Sequence, residues 1–144
     1  MRAALLGWSA LSLGCLAASG CAGMIHPATA GDPPCGVGKP MVETMLFMGL
    51  SSPQGAVSAD AFQLFVETEV TPRWKEGYTL LDAQGLWLSE ARKVTERESS
   101  RVLLRLHDDT LAASADIEAI RAAYIKTFAQ DAVGRTDRRV CADF

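Results

Sequence analysis

Residues 102–128, VLLRLHDDTLAASADIEAIRAAYIKTF, change their period halfway along. Val102, Leu104 and Leu106 alternate with Leu103, Arg105 and His107, the two-residue repeat of a strand with unlike faces. Past Asp108-Asp109 the spacing becomes helical. Ser114 is placed to cap a helix, Asp116 falls in its first turn where the helix dipole favours a carboxylate, and Ile117, Ile120, Tyr124 and Phe128 line up as one stripe. Backward from Val102, Lys93–His107 extends the strand. A charged turn at Ser89–Arg92 joins it to Tyr78–Leu88, where Gly85 predicts a bend or bulge. Before that, Pro72 forces Thr71 out of helical geometry and so stops a helix capped by Ser58, with Phe62, Phe65, Val66 and Val70 as its stripe. Ser51–Gly55 reads as a loop. Met41–Leu50 is a first strand, with Val42, Thr44, Leu46 and Met48 on one side, and residues 132–142 form a last one.

The order is β-α-β-β-α-β, which predicts an α+β domain of ferredoxin-like type: a four-stranded antiparallel sheet with two helices on one face. In that arrangement the first and last strands are antiparallel neighbours, so Cys35, just before the first, meets Cys141, near the end of the last. In an exported chain such a pair reads as a disulfide. Two free thiols or a catalytic Cys are the alternatives, and neither Cys has a His nearby in sequence or belongs to a Cys-x-x-Cys motif.

With 144 residues and 49% apolar composition, the chain holds about one domain. Its formal charge of −3 and the lack of a basic block argue against nucleic acid as a partner. Arg2 is the only charged side chain before Asp32, and residues 1–20 have the short n-region, apolar h-region and small-residue end of an export signal. Ala18-Ser19-Gly20-Cys21 resembles the lipobox of bacterial lipoproteins, which implies an acylated Cys21 at a new N-terminus, and Ala22 after it favours the outer membrane, facing the periplasm. Removing residues 1–20 leaves 13 basic and 17 acidic side chains, a net −4, so the anchor to the membrane is the lipid and not charge. Residues 21–40, rich in Gly, Pro and Ala, read as a flexible tether, and residues 41–144 as the domain.

Glu43-Thr44 with Phe47 and Gly49-Leu50, Val70-Thr71-Pro72-Arg73, Gly77-Tyr78-Thr79, Asp82-Ala83-Gln84-Gly85, Trp87, Ile120-Arg121-Ala122-Ala123-Tyr124 and the closing Cys141-Ala142-Asp143-Phe144 occur in this order. Together they resemble a bacterial family of exported proteins, domain of unknown function 3574, over about Met41 to Phe144. Where that family has Pro-Arg-Phe-Pro this chain has Pro72-Arg73-Trp74-Lys75, and Leu86 stands where Gln precedes the Trp. The resemblance implies export and a compact α+β domain, and no activity.

Among the polar residues, Glu43, Asp82, Arg105 and His107 are expected together on the sheet face away from the helices, with Arg73 and Trp74 at the rim. His107 between carboxylates has the chemistry of an acid or base. Met45, Phe47, Leu80 and Leu103 are expected on that same face, a surface suited to a homodimer or an envelope protein partner. Glu69 and Arg121 interrupt the helix stripes, which predicts a Glu69–Arg121 or a Glu69–Arg73 pair. His26 and His107 are too far apart for a metal site, and Gly36-Val37-Gly38-Lys39 lacks P-loop spacing, so no cofactor is implied. The leading reading is an envelope lipoprotein acting as a small non-enzymatic binding or assembly module. The alternative is a small ligand-binding protein or enzyme using the Glu43, Asp82, Arg105 and His107 cluster.

Overall fold

Two of the long strands form over period-two apolar stretches, at the first strand's Met41–Met48 and the Val102–His107 end of the strand before the last helix, and each buries a face in the core. The computed structural model describes residues 34–144, so the leader, Cys21 and most of the tether lie outside the described residues. Strands β1 (Lys39–Gly49), β2 (Ser51–Ser52) and β3 (Gly55–Ala56) lead into helix α1 (Ala59–Phe65). Strands β4 (Thr79–Ser89) and β5 (Val94–His107), helix α2 (Leu111–Phe128) and strand β6 (Gly134–Ala142) follow. The long strands form one antiparallel sheet in the order β4-β5-β1-β6. Strands β2 and β3 pair within the predicted loop, as a two-rung ladder of their own.

Ser58 caps α1, its Oγ accepting from the Ala61 N–H at 3.2 Å. The helix then widens into a π-helical turn over Val66–Val70, where the Thr71 N–H donates to the Val66 carbonyl at 2.9 Å. Thr71 keeps a helical backbone (φ −55°, ψ −40°), which corrects the expectation that Pro72 forces it out of helical geometry, and the turn runs on to Trp74, whose N–H donates to the Val70 carbonyl at 2.9 Å. Helix α2 starts one turn earlier than Ser114 predicts. Thr110 has the extended backbone of a cap, and its Oγ1 accepts from the Ala113 N–H at 3.1 Å. Ser114 instead sits inside the helix and accepts from Arg135 Nη1 at 3.2 Å.

Leu46 and Met48 of β1, Leu103 of β5, Phe62, Phe65, Val66 and Val70 of the first helical segment, and Ile117, Ile120 and Tyr124 of α2 share one core with Trp74 and Val133. Fully burying a side chain of this kind stabilises the fold by about 1.5–3 kcal/mol. The Tyr124 hydroxyl donates to the Gly49 carbonyl at 2.8 Å, and burial, with the charge of Glu98 added, pushes its pKa up to about 12. Strand β4 pairs with β5 without interruption through Gln84↔Ser99, Gly85↔Glu98 and Leu86↔Arg97, so Gly85 introduces no bulge. The β4–β5 ladder continues to Ser89↔Val94, whereas β1 pairs with β5 only as far as Gly49↔Ser100, so the hairpin end projects as an arm beyond β1.

Cys35 and Cys141 form a disulfide with their Cα atoms 5.5 Å apart. It ties the approach to β1 onto β6, where Lys39 pairs with Ala142 and Pro40 with Cys141. Gly38 makes that crossing fit: its φ is +73°, and a Cβ there would lie 2.1 Å from the Ala142 carbonyl oxygen.

Candidate functional site

Arg105 and His107 of β5 lie on the helix side of the sheet, which corrects the expectation that they lie on the open face. Thr44 pairs with Arg105 and Leu46 with Leu103, so Leu103, Arg105 and His107 share the inner side of the sheet with Val42, Thr44 and Leu46. Leu103 is a core residue, and Leu80, its partner across β4, lies on the same inner side. The outer side instead carries Met45, Phe47, Leu81, Val102 and Leu104. The all-apolar row Val102, Leu104 and Leu106 looks the better core face by hydropathy. A one-residue change of register exchanges the two rows, and cross-strand pairing decided for the other.

This placement divides the four expected site residues. Glu43 pairs with Leu106 on the outer side and is held there by Arg138 at 2.6 and 3.0 Å. Asp82 shares the inner side with Arg105 but is ion-paired to Arg101, four residues down β5 from Arg105 and so roughly 13 Å along the strand. Arg105 and His107 stay together, joined by two neighbours. Trp74 is not at a rim: it is buried, with the Arg105 guanidinium carbon 5.5 Å from its ring centre. Arg73 is held by Glu69, its Nη1 donating to the Glu69 carbonyl at 2.7 Å and carboxylate at 2.9 Å. The Glu69–Arg73 pair is therefore the one formed. Arg121 turns to Glu118 and to the Val133 carbonyl.

Around His107 the hydrogen bonds form a chain. Thr44 Oγ1 donates to the Asp137 carboxylate. A hydroxyl has one proton to give, so the same oxygen accepts from His107 Nε2 at 2.9 Å. His107 Nδ1 lies 2.8 Å from the Asp108 carbonyl, so both ring nitrogens are engaged within the protein. Burial pushes the Asp137 carboxyl up, but the Thr44 hydroxyl, the Arg135 guanidinium and the charge of His107 outweigh it and hold the group below its ordinary value. Arg135 continues the chain to Glu118 at 2.8 Å, and Arg135 and Arg121 hold that carboxyl low as well. Thr44 and Asp137 escaped the sequence analysis as site residues. The one signal was Thr44 itself, the single polar residue on the apolar side of β1.

Beside this chain opens a cleft of about 970 Å³, bounded by the start of β1, the turn before β4, the end of β5, the first turn of α2 and the last residues of the chain. Arg73, Arg105 and His107 line it, as do Glu76 and Thr110. Arg105 is 7% exposed and donates from Nη2 to Glu76 at 2.9 Å. Its Nε and Nη1, and the Trp74 Nε1 beside it, are buried without a hydrogen-bond partner. Among the described residues no group of His, Cys, Asp and Glu is arranged to hold a metal ion.

These features describe an α/β domain with a disulfide-closed sheet and a polar cleft at one end. The chain belongs to the family described as Protein of unknown function (DUF3574), whose model matches residues 43–144. No curated protein matches the sequence. Among solved structures it is similar to phage SAM lyase in complex with S-methyl-5'-thioadenosine, at 12% identity and a TM-score of 0.50, over 71% of this chain and 90% of that one. It is likewise similar to phage SAM lyase in the apo state, at 12% identity and a TM-score of 0.53, over 78% of this chain and 98% of that one. At this identity the likeness is one of fold.

Proposed function

We propose that this is a non-enzymatic binding module of the cell envelope, tethered through an acylated Cys21, that takes a small ligand in the cleft floored by Arg105. The order β4-β5-β1-β6 with a helix after β1 and another after β5 supports a ferredoxin-like domain as its frame. One observation carries the binding reading: two N–H groups of a buried guanidinium, Arg105 Nε and Nη1, lack acceptors at a cleft of drug-sized volume. His107 lines the cleft with both ring nitrogens hydrogen-bonded within the protein, to the Thr44 hydroxyl and the Asp108 carbonyl. The phage enzyme of similar fold is solved with S-methyl-5'-thioadenosine, and that compound belongs in any ligand panel for this cleft.

The test is a ligand-observed NMR screen of the full chain in detergent, beside an Ala112→Trp variant. Ala112 is exposed and lines the cleft, so a Trp there fills the space and spares the core. Compounds that bind the native chain and are lost in Ala112→Trp are the expected result. Binding that ignores the substitution, or none across the panel, overturns the reading. Palmitate labelling that disappears in Cys21→Ala checks the anchor.

A second reading, association of two copies through the outer sheet face, is favoured by Phe47, Leu81 and Trp87, each exposed by more than two fifths on that side. A dimer by sedimentation that Phe47→Asp dissolves is its expected outcome, and a monomer at high concentration removes it.

A further inference from the structure

Resting on the cleft as a ligand site, we infer that its ligand is a small monocarboxylate whose carboxylate displaces Glu76 from Arg105 and whose remainder is neutral or cationic. The deficit at the site has one sign. Arg105 Nε and Nη1 in the cleft wall are donors, and no buried side-chain acceptor among the described residues goes unpaired, the other two unmatched groups, Trp74 Nε1 and Arg101 Nε, being donors outside the cleft lining. Water offers donors as well as acceptors, whereas a carboxylate offers acceptors alone. The charge balance points the same way. The Arg105 side chain is 8% exposed, yet its counterion Glu76 is 76% exposed and makes a single hydrogen bond to it. A buried cation matched by a solvated partner on a turn is weakly neutralised.

The geometry of a guanidinium sharpens the point. Nη2 shares one edge with Nε and another with Nη1, so an acid seated on Nη2 gains a second parallel N–H from either edge. Glu76 takes neither of these second bonds. The first turn of α2, with Thr110 and Ala113 in the cleft wall, adds the positive end of an 18-residue helix. The remaining charges limit the ligand to one negative group. Asp108 is neutralised by Lys39 at 2.7 Å, but Asp116 and Asp143 also line the cleft and repel a second anion.

The probes are 6-aminohexanoate, adipate and hexanamide, titrated into the full chain while the arginine Nε–H resonances and the melting temperature are followed. 6-Aminohexanoate is expected to shift the Arg105 Nε–H, with adipate binding at least tenfold more weakly and hexanamide leaving the resonance still. Arg105→Gln should abolish the response. Glu76→Gln should strengthen it several-fold, a gain that misfolding cannot imitate. An unmoved Arg105 resonance with every probe, a weaker response in Glu76→Gln, or hexanamide binding as well as 6-aminohexanoate overturns the inference. If uncharged compounds occupy the cleft in a manner blocked by Ala112→Trp while carboxylates do not, this inference fails and the wider ligand reading survives. If nothing binds there, both fail.

Discussion

Thr44 spends its one proton on Asp137 and its lone pairs on His107, at a position fully shielded from solvent. Thr44→Val keeps the shape and removes the oxygen, which leaves the buried His107 Nε2 without its partner while Asp137 keeps Arg135. A cost of about 1–3 kcal/mol follows from leaving one buried polar group unmatched. The pH dependence has a definite sign. The folded Asp137 carboxyl sits below its unfolded value, so its contribution is complete above an unfolded pKa of about 3.9 and drains away as pH falls through the lower folded value. Acid unfolding followed by circular dichroism should therefore show a shallower loss below about pH 4 in Thr44→Val than in the native chain. An unchanged slope would show that Thr44 does not hold Asp137 low. At this scale the sequence was half legible. Arg105 and His107 were recognisable as chemistry-bearing residues, but their face depended on a register that Leu104 and Leu106 argued the wrong way. Trp74 looked like a rim residue because nothing in its neighbours Arg73 and Lys75 reveals that the chain turns inward there.

Elements were easier to read than sites because caps and stops are local. Ser58 caps the first helical segment as its chemistry requires, whereas Thr71 stays helical in front of Pro72 and the expected stop by that route is absent. The π turn between them left no mark in the sequence, since the stripe Phe62, Phe65, Val66 and Val70 suits either winding. Ser114 and Thr110 both have capping hydroxyls, and the choice between them was made by Arg135 on a distant strand. Gly38 is the element-scale residue with the sharpest prediction. Gly38→Ala meets both a left-handed backbone and the Ala142 carbonyl, so the β1–β6 end must part. A loss of roughly 2 kcal/mol or more is expected in a denaturant melt, the strained backbone contributing about 1–3 kcal/mol and the clash with the Ala142 carbonyl adding to it. A native midpoint for Gly38→Ala would remove this account of the turn.

The domain as a whole is a loop fastened at its ends, Cys35 and Cys141 being 106 positions apart in sequence. Chain entropy assigns such a closure up to about 4.7 kcal/mol, and a typical measured contribution is about 2–4 kcal/mol. Reducing the bond, or the double change Cys35→Ser with Cys141→Ser, should lower the unfolding free energy from a denaturant melt by that amount, and a loss under about 1 kcal/mol would mean that the sheet alone holds these ends. This fastening was legible because two cysteines sat where neighbouring strands begin and end. The function was not, since the family supplies no activity and the cleft exists only once distant segments meet.

Arg105, Thr44 and Asp137 lie side by side on three adjacent strands, β5, β1 and β6, as successive cross-strand partners. Whatever rests on the first of them bears on a rung of the ladder that ends at the sheet's free margin. Occupancy at one end of the molecule should therefore be felt as slower deuterium uptake by the amides around Asp137, a signal available before any compound has been seen in place.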